Sequence, residues 1–212
     1  MRKFFYGHLG KKGRFYAMAN IKTVALTEEQ YRESIELLRT GFVLNGKTVK
    51  ANPRIATIAV LQSTLGLRLS DVLNLSVDNI VQDGNRYRWN ITEQKTGKQR
   101  TFTVPREIYT YIVKYALDNG ISKSEQLFHI SKRQVSRHLN KVFEKMGLNI
   151  EKYGSHSYRK MFATQAYIDS DYDIELVRVL LQHSNVAITQ NYLSISSKKI
   201  EAALEKTVKN LI

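Results

Sequence analysis

A chain of 212 residues is long enough for one sizeable core, or for one domain with a short appendage. Its 42% hydrophobic and 25% charged content is ordinary, but a formal net charge of +14 points to a polyanionic partner, most often nucleic acid and sometimes an anionic membrane surface. The absence of cysteine excludes a disulfide framework, a thiolate metal site and a thiol nucleophile, and it suits a reducing cytoplasm.

Residues 1 to 22 are basic and glycine-bearing, with interleaved aromatics at Phe4, Phe5, Tyr6, Phe15 and Tyr16. They lack the apolar stretch of a signal peptide, and no apolar run in the chain approaches the roughly 20 residues of a membrane span. The expectation is a basic N-terminal arm lying along phosphates, or a loose tail. Thr27-Glu28-Glu29-Gln30 reads as a capping box that opens a helix to about Thr40, with Tyr31, Ile35 and Leu38 inward and Gly41 as the stop. A polar loop is expected next. Asn52-Pro53 then starts a second helix whose stripe Ile55, Ile58, Ala59, Leu61, Gln62 and Leu65 is buried, and Gly66 ends it. Arg68 sits just past that break, and Ser70 is expected to cap a short helix through Leu75. An arginine among such apolar neighbours needs a partner, either Asp71 or an anion.

From residue 79 to 104 the pattern changes to period two. Ile80-Val81, Tyr87 to Ile91 and Thr101 to Val104 predict a small three-stranded antiparallel sheet, with Lys95 and Lys98 at the tip of its second hairpin. Ile108 to Leu117 is a further helix ended by Asn119-Gly120. Ser131-Lys132-Arg133-Gln134 repeats the capping box and opens a helix to Met146. Its apolar face is Val135, Leu139, Val142 and Met146; a basic ridge of Arg133, Arg137 and Lys141 is either wet surface or a DNA contact.

Ser155 is expected to cap the helix carrying His156, Arg159, Phe162 and Ala163. Asp173 to Leu181 follows, with Ile174, Val177, Leu180 and Leu181 packed, and His183 at its C-terminal end, where a cationic imidazole is favoured. Tyr192 lies on a short helix, and Lys198 to Leu211 is amphipathic. The fold class is therefore α+β, mainly α-helical with one small sheet. A histidine three residues before an arginine on a helix shares its face, and imidazole beside guanidinium makes a poor core but a good anion cradle. With His183 and Tyr192 following, the pattern is that of a phosphate-handling site with a hydroxyl nucleophile.

His156-x-x-Arg159, Leu180-Leu181-x-His183-Ser184 and Thr189-x-x-Tyr192 resemble the three C-terminal boxes of the tyrosine recombinases, the phage and transposon integrases. Thr64-Leu65-Gly66-Leu67-Arg68-Leu69-Ser70-Asp71 resembles the first arginine box of that family. Glu93 to Arg100 resembles its lysine hairpin. The resemblance runs over roughly residues 25 to 200 with every motif in order. It implies the DNA breaking-rejoining catalytic fold and a 3′-phosphotyrosine intermediate on double-stranded DNA. Tyr192 would be the nucleophile, Arg68, Arg159 and His183 would hold the phosphate, and Asp71 would steady Arg68. His156 would be the base or an orienting partner. Lys95 would be the acid for the leaving oxygen, with Lys98 as a rival and Arg100 a weaker one. Lys98, Arg100, Arg133, Arg137 and Lys141 would touch DNA. Neither cofactor nor metal is expected, because the cationic cluster makes a metal redundant.

The resemblance further implies a bacterial mobile element or phage as source, a cytoplasmic, nucleoid-associated location and no membrane partner. It implies a monomer in free solution and a homo-oligomer, a tetramer, on DNA. The expected division is a basic arm at 1–22, a catalytic domain at 23–197 and a C-terminal helix at 198–212. That last helix either folds back or is exchanged between protomers. Family members normally carry a core-binding domain ahead of the catalytic one, and residues 1 to 22 are too few for it, so a one-sided, salt-sensitive grip on DNA is expected. Two other readings share these residues. A type IB topoisomerase has a similar site but commonly a lysine where His156 stands, and a DNA-binding regulator could keep the fold without turnover.

Overall fold

Thr27 caps the first helix as its capping box requires: its Oγ1 accepts from the Gln30 amide at 3.1 Å, and Gln30 Oε1 accepts from the Thr27 amide at 3.0 Å. The computed structural model describes residues 23–92, 97, 99–193 and 208. The arm at 1–22, the hairpin-tip residues Lys95 and Lys98, and nearly all of the tail at 198–212 lie outside the described residues. Helix α1 (Glu28–Thr40) leads into strands β1 (Phe42–Leu44) and β2 (Lys47–Val49), then α2 (Pro53–Leu65) and the short α3 (Leu69–Val72). A three-stranded antiparallel sheet follows, β3 (Ile80–Asp83), β4 (Arg86–Thr92) and β5 (Gln99–Val104), in that spatial order. Helices α4 (Arg106–Asp118), α5 (Lys132–Lys145), α6 (Ser155–Asp169), α7 (Ile174–Leu181) and α8 (Val186–Leu193) complete the described chain.

The predicted sheet is present, with Ile80 opposite Trp89 and Tyr87 opposite Val104. The expected polar loop after α1 is instead a second, two-stranded hairpin. Asn45 and Gly46 both adopt positive φ, 48° and 72°, the geometry of a tight primed turn, so the Asn-Gly pair was the signal. The start of α3 also differs from expectation. The amides of Asp71 and Val72 bond the Arg68 carbonyl, which makes Arg68 the N-cap. Ser70 lies inside the helix, its hydroxyl donating to Asp71 Oδ1 at 3.4 Å, and the helix ends before Leu75. On α6 the cap is Gly154, whose amide donates to Ser157 Oγ at 3.1 Å, and Ser155 is the first helical residue.

One core gathers α1, α2, α4, α5 and the sheet around Leu38, Leu61, Trp89, Ile112, Val142 and Phe143, all fully buried. Helix α6 joins it through Tyr158, whose hydroxyl donates to Ser34 Oγ on α1 at 3.0 Å. Ser34 in turn donates to the Tyr31 carbonyl at 2.7 Å, so both hydroxyls are satisfied. Burial holds the Tyr158 phenol far above its ordinary pKa. A second, smaller cluster of Ala163, Val177 and Leu181 lies on the other side of α6, and Phe162, Tyr167, Tyr192 and Leu193 pack on it. Leu180, expected inside, is exposed together with Leu176 and Val179, because Val177 and Leu181, four apart, take the inward stripe of the short α7.

Tyr158→Phe should cost about 1 kcal/mol in urea unfolding, the value of one buried hydrogen bond whose partner keeps another. Tyr158→Ala should cost about 3–5 kcal/mol, as removal of a buried ring does.

Candidate active site

Arg159 is 3% exposed, and its guanidinium is held between two helix ends. Nη1 donates to the carbonyl of Gly66, the C-cap of α2, and Nη2 donates to the carbonyl of Leu181, the last residue of α7, at 2.9 Å. Helix C-termini carry partial negative charge and unsatisfied carbonyls, so they are apt partners for a buried cation. Burial lowers the Arg159 pKa to about 10, and neighbouring Arg68 adds to the fall, while Tyr192 and Asp71 oppose it. The group stays protonated at neutral pH.

Gly66 makes this arrangement possible. It ends α2 in the left-handed region at φ 62°, where its carbonyl turns toward Arg159, and a Cβ there would lie 2.4 Å from the Phe162 ring. Two residues on, Arg68 is half-buried at the start of α3, with its field reaching both Arg159 and Tyr192. Asp71, 5% exposed, acts on Arg159.

Tyr192 reaches the same place from α8. Its ring centroid lies 5.9 Å from Arg159 Cζ, and the His183 ring stands edge-on to it at 5.3 Å and 74°. Among the described residues its hydroxyl is buried and meets no hydrogen-bond partner of good geometry. Burial raises the phenol's pKa, and the two guanidiniums, Arg159 first and then Arg68, pull against that rise. His183 is not the surface histidine of a helix end. Gln182 takes the left-handed conformation that closes α7, and His183 folds inward, 8% exposed, with Nδ1 3.0 Å from Thr189 Oγ1 on α8. The Arg178 guanidinium donates to the His183 carbonyl at 2.9 Å and steadies that turn.

His156, in the first turn of α6, is exposed and shares with Tyr192, Asn191 and Lys160 the wall of an open pocket of about 360 Å³. Of the residues expected to act, Arg68, Asp71, Arg159, His183 and Tyr192 thus form one cluster, with His156 at its edge. Arg133, Arg137 and Lys141 are exposed along α5, as a DNA-facing ridge and a wetted surface both require, and Arg100 lies on β5. Sequence reasoning missed Lys160. It is 6% exposed, with Nζ 5.2 Å from the Tyr192 ring centroid, and its spacing of four from His156 was the available signal.

This fold is that of a tyrosine recombinase catalytic domain. The catalytic domain of bacteriophage HP1 integrase matches with a TM-score of 0.59 at 16% identity, over 87% of this chain and 95% of that domain. XerH recombinase, solved on its difH substrate before cleavage, matches with a TM-score of 0.63 at 19% identity, over 85% of this chain and 53% of that one. The sequence model of the phage integrase family matches residues 25–199, and the chain belongs to that family. Tyrosine recombinase XerA of Pyrococcus furiosus is 28% identical over 199 residues, which cover 89% of this chain and 64% of that protein. The chain therefore spans less than two thirds of the length of that relative.

Gly66→Ala should destabilise the protein by more than the roughly 1–2 kcal/mol of a left-handed alanine, because the Cβ meets Phe162 as well. Adding Phe162→Leu should recover part of the loss, and a double-mutant cycle in urea measures the coupling.

Proposed function

We propose that the chain is a site-specific DNA recombinase catalytic domain that cleaves and rejoins strands through a covalent 3′-phosphotyrosine. The observation that carries this reading is the Tyr192 hydroxyl, buried beside Arg159, Arg68 and His183 with cations as its polar neighbours. A tyrosine hydroxyl is a weak nucleophile that a core would normally hydrogen-bond. Here it is set among cations that favour its ionised form and that would bind a phosphate.

In the proposed step the Tyr192 oxygen attacks phosphorus, the bond from phosphorus to the 5′ oxygen breaks, and the 5′ oxygen takes a proton. Rejoining is the reverse, with a 5′ hydroxyl displacing tyrosine, so the phosphodiester energy is kept. Arg68 and Arg159 suit the non-bridging oxygens, where charge concentrates, since both are permanently cationic donors. With Nδ1 engaged by Thr189, Nε2 of His183 is the nitrogen that would donate to the same phosphate. His156, beside Tyr192 in the pocket, would take or orient the phenol proton. Lys95 is assigned the proton for the leaving oxygen on motif order alone, and Asp71 steadies the arginines.

The charge of +14 supports a grip on double-stranded DNA through Lys98, Arg100, Arg133, Arg137 and Lys141. The wider assignment has a monomer in free solution, a homotetramer on paired sites and a location at the nucleoid in the cytoplasm. Residues 1–22 are assigned as a basic arm, 23–197 as the catalytic domain and 198–212 as a helix exchanged between protomers. No helix among the described residues is long and apolar enough to cross a membrane.

A nicked suicide substrate, which traps the cleaved strand, tests the core of this reading. Tyr192→Phe should abolish covalent adduct and leave DNA affinity within about twofold, since only the hydroxyl reacts; adduct surviving at Tyr167 or Tyr172 would reassign the nucleophile. Lys95→Ala should cut cleavage about 10²–10⁴-fold on ordinary DNA, the usual share of a general acid. A substrate with sulfur at the 5′-bridging position, whose leaving group needs no proton, should restore it. Equal loss on both substrates would give Lys95 a phosphate-binding role and turn attention to Lys98.

A further inference from the structure

The position of the Lys160 ammonium over the Tyr192 ring points to a role for which no family box was invoked. We propose that Lys160 is a positioning residue for the nucleophile, holding the Tyr192 ring through a cation–π contact and favouring the charge that develops on it during attack. The inference rests on the reading of Tyr192 as the nucleophile.

Lys160 is 6% exposed, an unusual setting for a residue type that almost always reaches water. Its Nζ lies 5.2 Å from the Tyr192 ring centroid, inside the range over which a cation is attracted to an aromatic face. It follows Arg159 directly on α6 and stands four residues past His156, so these three side chains leave the helix toward one region. Arg159 Cζ is also within reach of the ring at 5.9 Å, and His183 meets it edge-on. The nucleophile is therefore held largely by its ring, and its oxygen is addressed by the Arg159 guanidinium.

Such a grip answers a need of α8. That helix has eight residues, and only Thr189 among them is fully buried. Partly buried Tyr192 and Leu193 pack on the smaller cluster, so the ring of Tyr192 is a large part of what fixes it. A cationic donor at the phenol oxygen favours the anion but also lowers the nucleophilicity of the oxygen it touches. A cation on the ring face fixes the side chain without touching the oxygen that must attack. As the phenol gives up its proton, negative charge spreads from oxygen into the ring, and an ammonium over the face stabilises that charge.

The titratable and charged groups around Tyr192 come from three elements. Arg68 caps α3; His156, Arg159 and Lys160 belong to α6, and His183 to the turn before α8, while Asp71 on α3 acts on Arg159. Arg159 and Arg68 address the phenol strongly enough to oppose the effect of burial. Lys160 adds its charge from the ring side.

The test uses the full chain and a nicked suicide duplex. Lys160→Met keeps the apolar stem and removes the charge; Lys160→Arg keeps the charge. Single-turnover adduct formation should fall about tenfold in Lys160→Met, within the range for a desolvated cation–π contact. Its pH profile should move to higher pH, and Lys160→Arg should restore most of both. DNA affinity should stay unchanged. A second readout is independent of turnover: the ¹³Cζ titration of Tyr192, identified by its loss in Tyr192→Phe, should shift upward in Lys160→Met. A wild-type rate and profile in Lys160→Met would overturn the proposal. So would a slower rate with an unmoved pH profile and titration and no rescue by arginine, which would reduce Lys160 to packing. Adduct formation by Tyr192→Phe would instead overturn the assignment of the nucleophile.

Discussion

A guanidinium shut between two helix C-termini is the constraint on which the rest of the site depends. Arg159 has little water to solvate it, so the carbonyls of Gly66 and Leu181 must. Each of those carbonyls is available because its helix stops there. The stop at Gly66 needs the left-handed backbone that glycine tolerates, and the stop at Leu181 is closed by left-handed Gln182. Losing either termination would leave a buried cation short of an acceptor, a fault worth several kcal/mol in most proteins.

The same two terminations deliver the other groups of the candidate site. Past Gly66 the chain turns into α3 and brings Arg68 and Asp71 to Arg159. Past Gln182 it turns back on itself, sends His183 inward, and lets Thr189 of the next helix lock the imidazole. The side chains of the candidate site thus sit at helix ends and the joints between helices, where backbone direction changes sharply. Burial and cationic neighbours oppose each other at Tyr192, which keeps the phenol neutral at rest while providing charge to stabilise its anion.

Much of this was legible in the residues. The capping boxes at Thr27 and Ser131 and the Asn52-Pro53 start gave three helices, because each is a local device that satisfies its own amides. The order Arg68, His156, Arg159, His183, Tyr192 gave the cluster. Other features were harder to read. The short hairpin at 42–49 hid among polar residues, although Asn45-Gly46 announced it. Arg68 and Gly154 displaced Ser70 and Ser155 as caps, since a hydroxyl in the first turn looks the same in sequence whether it caps or follows the cap. Leu180 was misjudged because a helix of eight residues has room for only a narrow inward stripe. The depth of Lys160 depends on how α8 returns to α6, a long-range fact that helical periodicity does not encode.

The smaller apolar cluster has a dynamic consequence. Three fully buried residues, Ala163, Val177 and Leu181, hold α7 and α8 against α6, while the large core lies on the other side. Cooperative units with so little buried surface open at free energies well below that of global unfolding. Amide hydrogens of α7 and α8 should therefore exchange through a local excursion while α2 and α5 stay protected. In that excursion the phenol leaves its cations, and the proposed nucleophile is withdrawn while the rest of the fold persists.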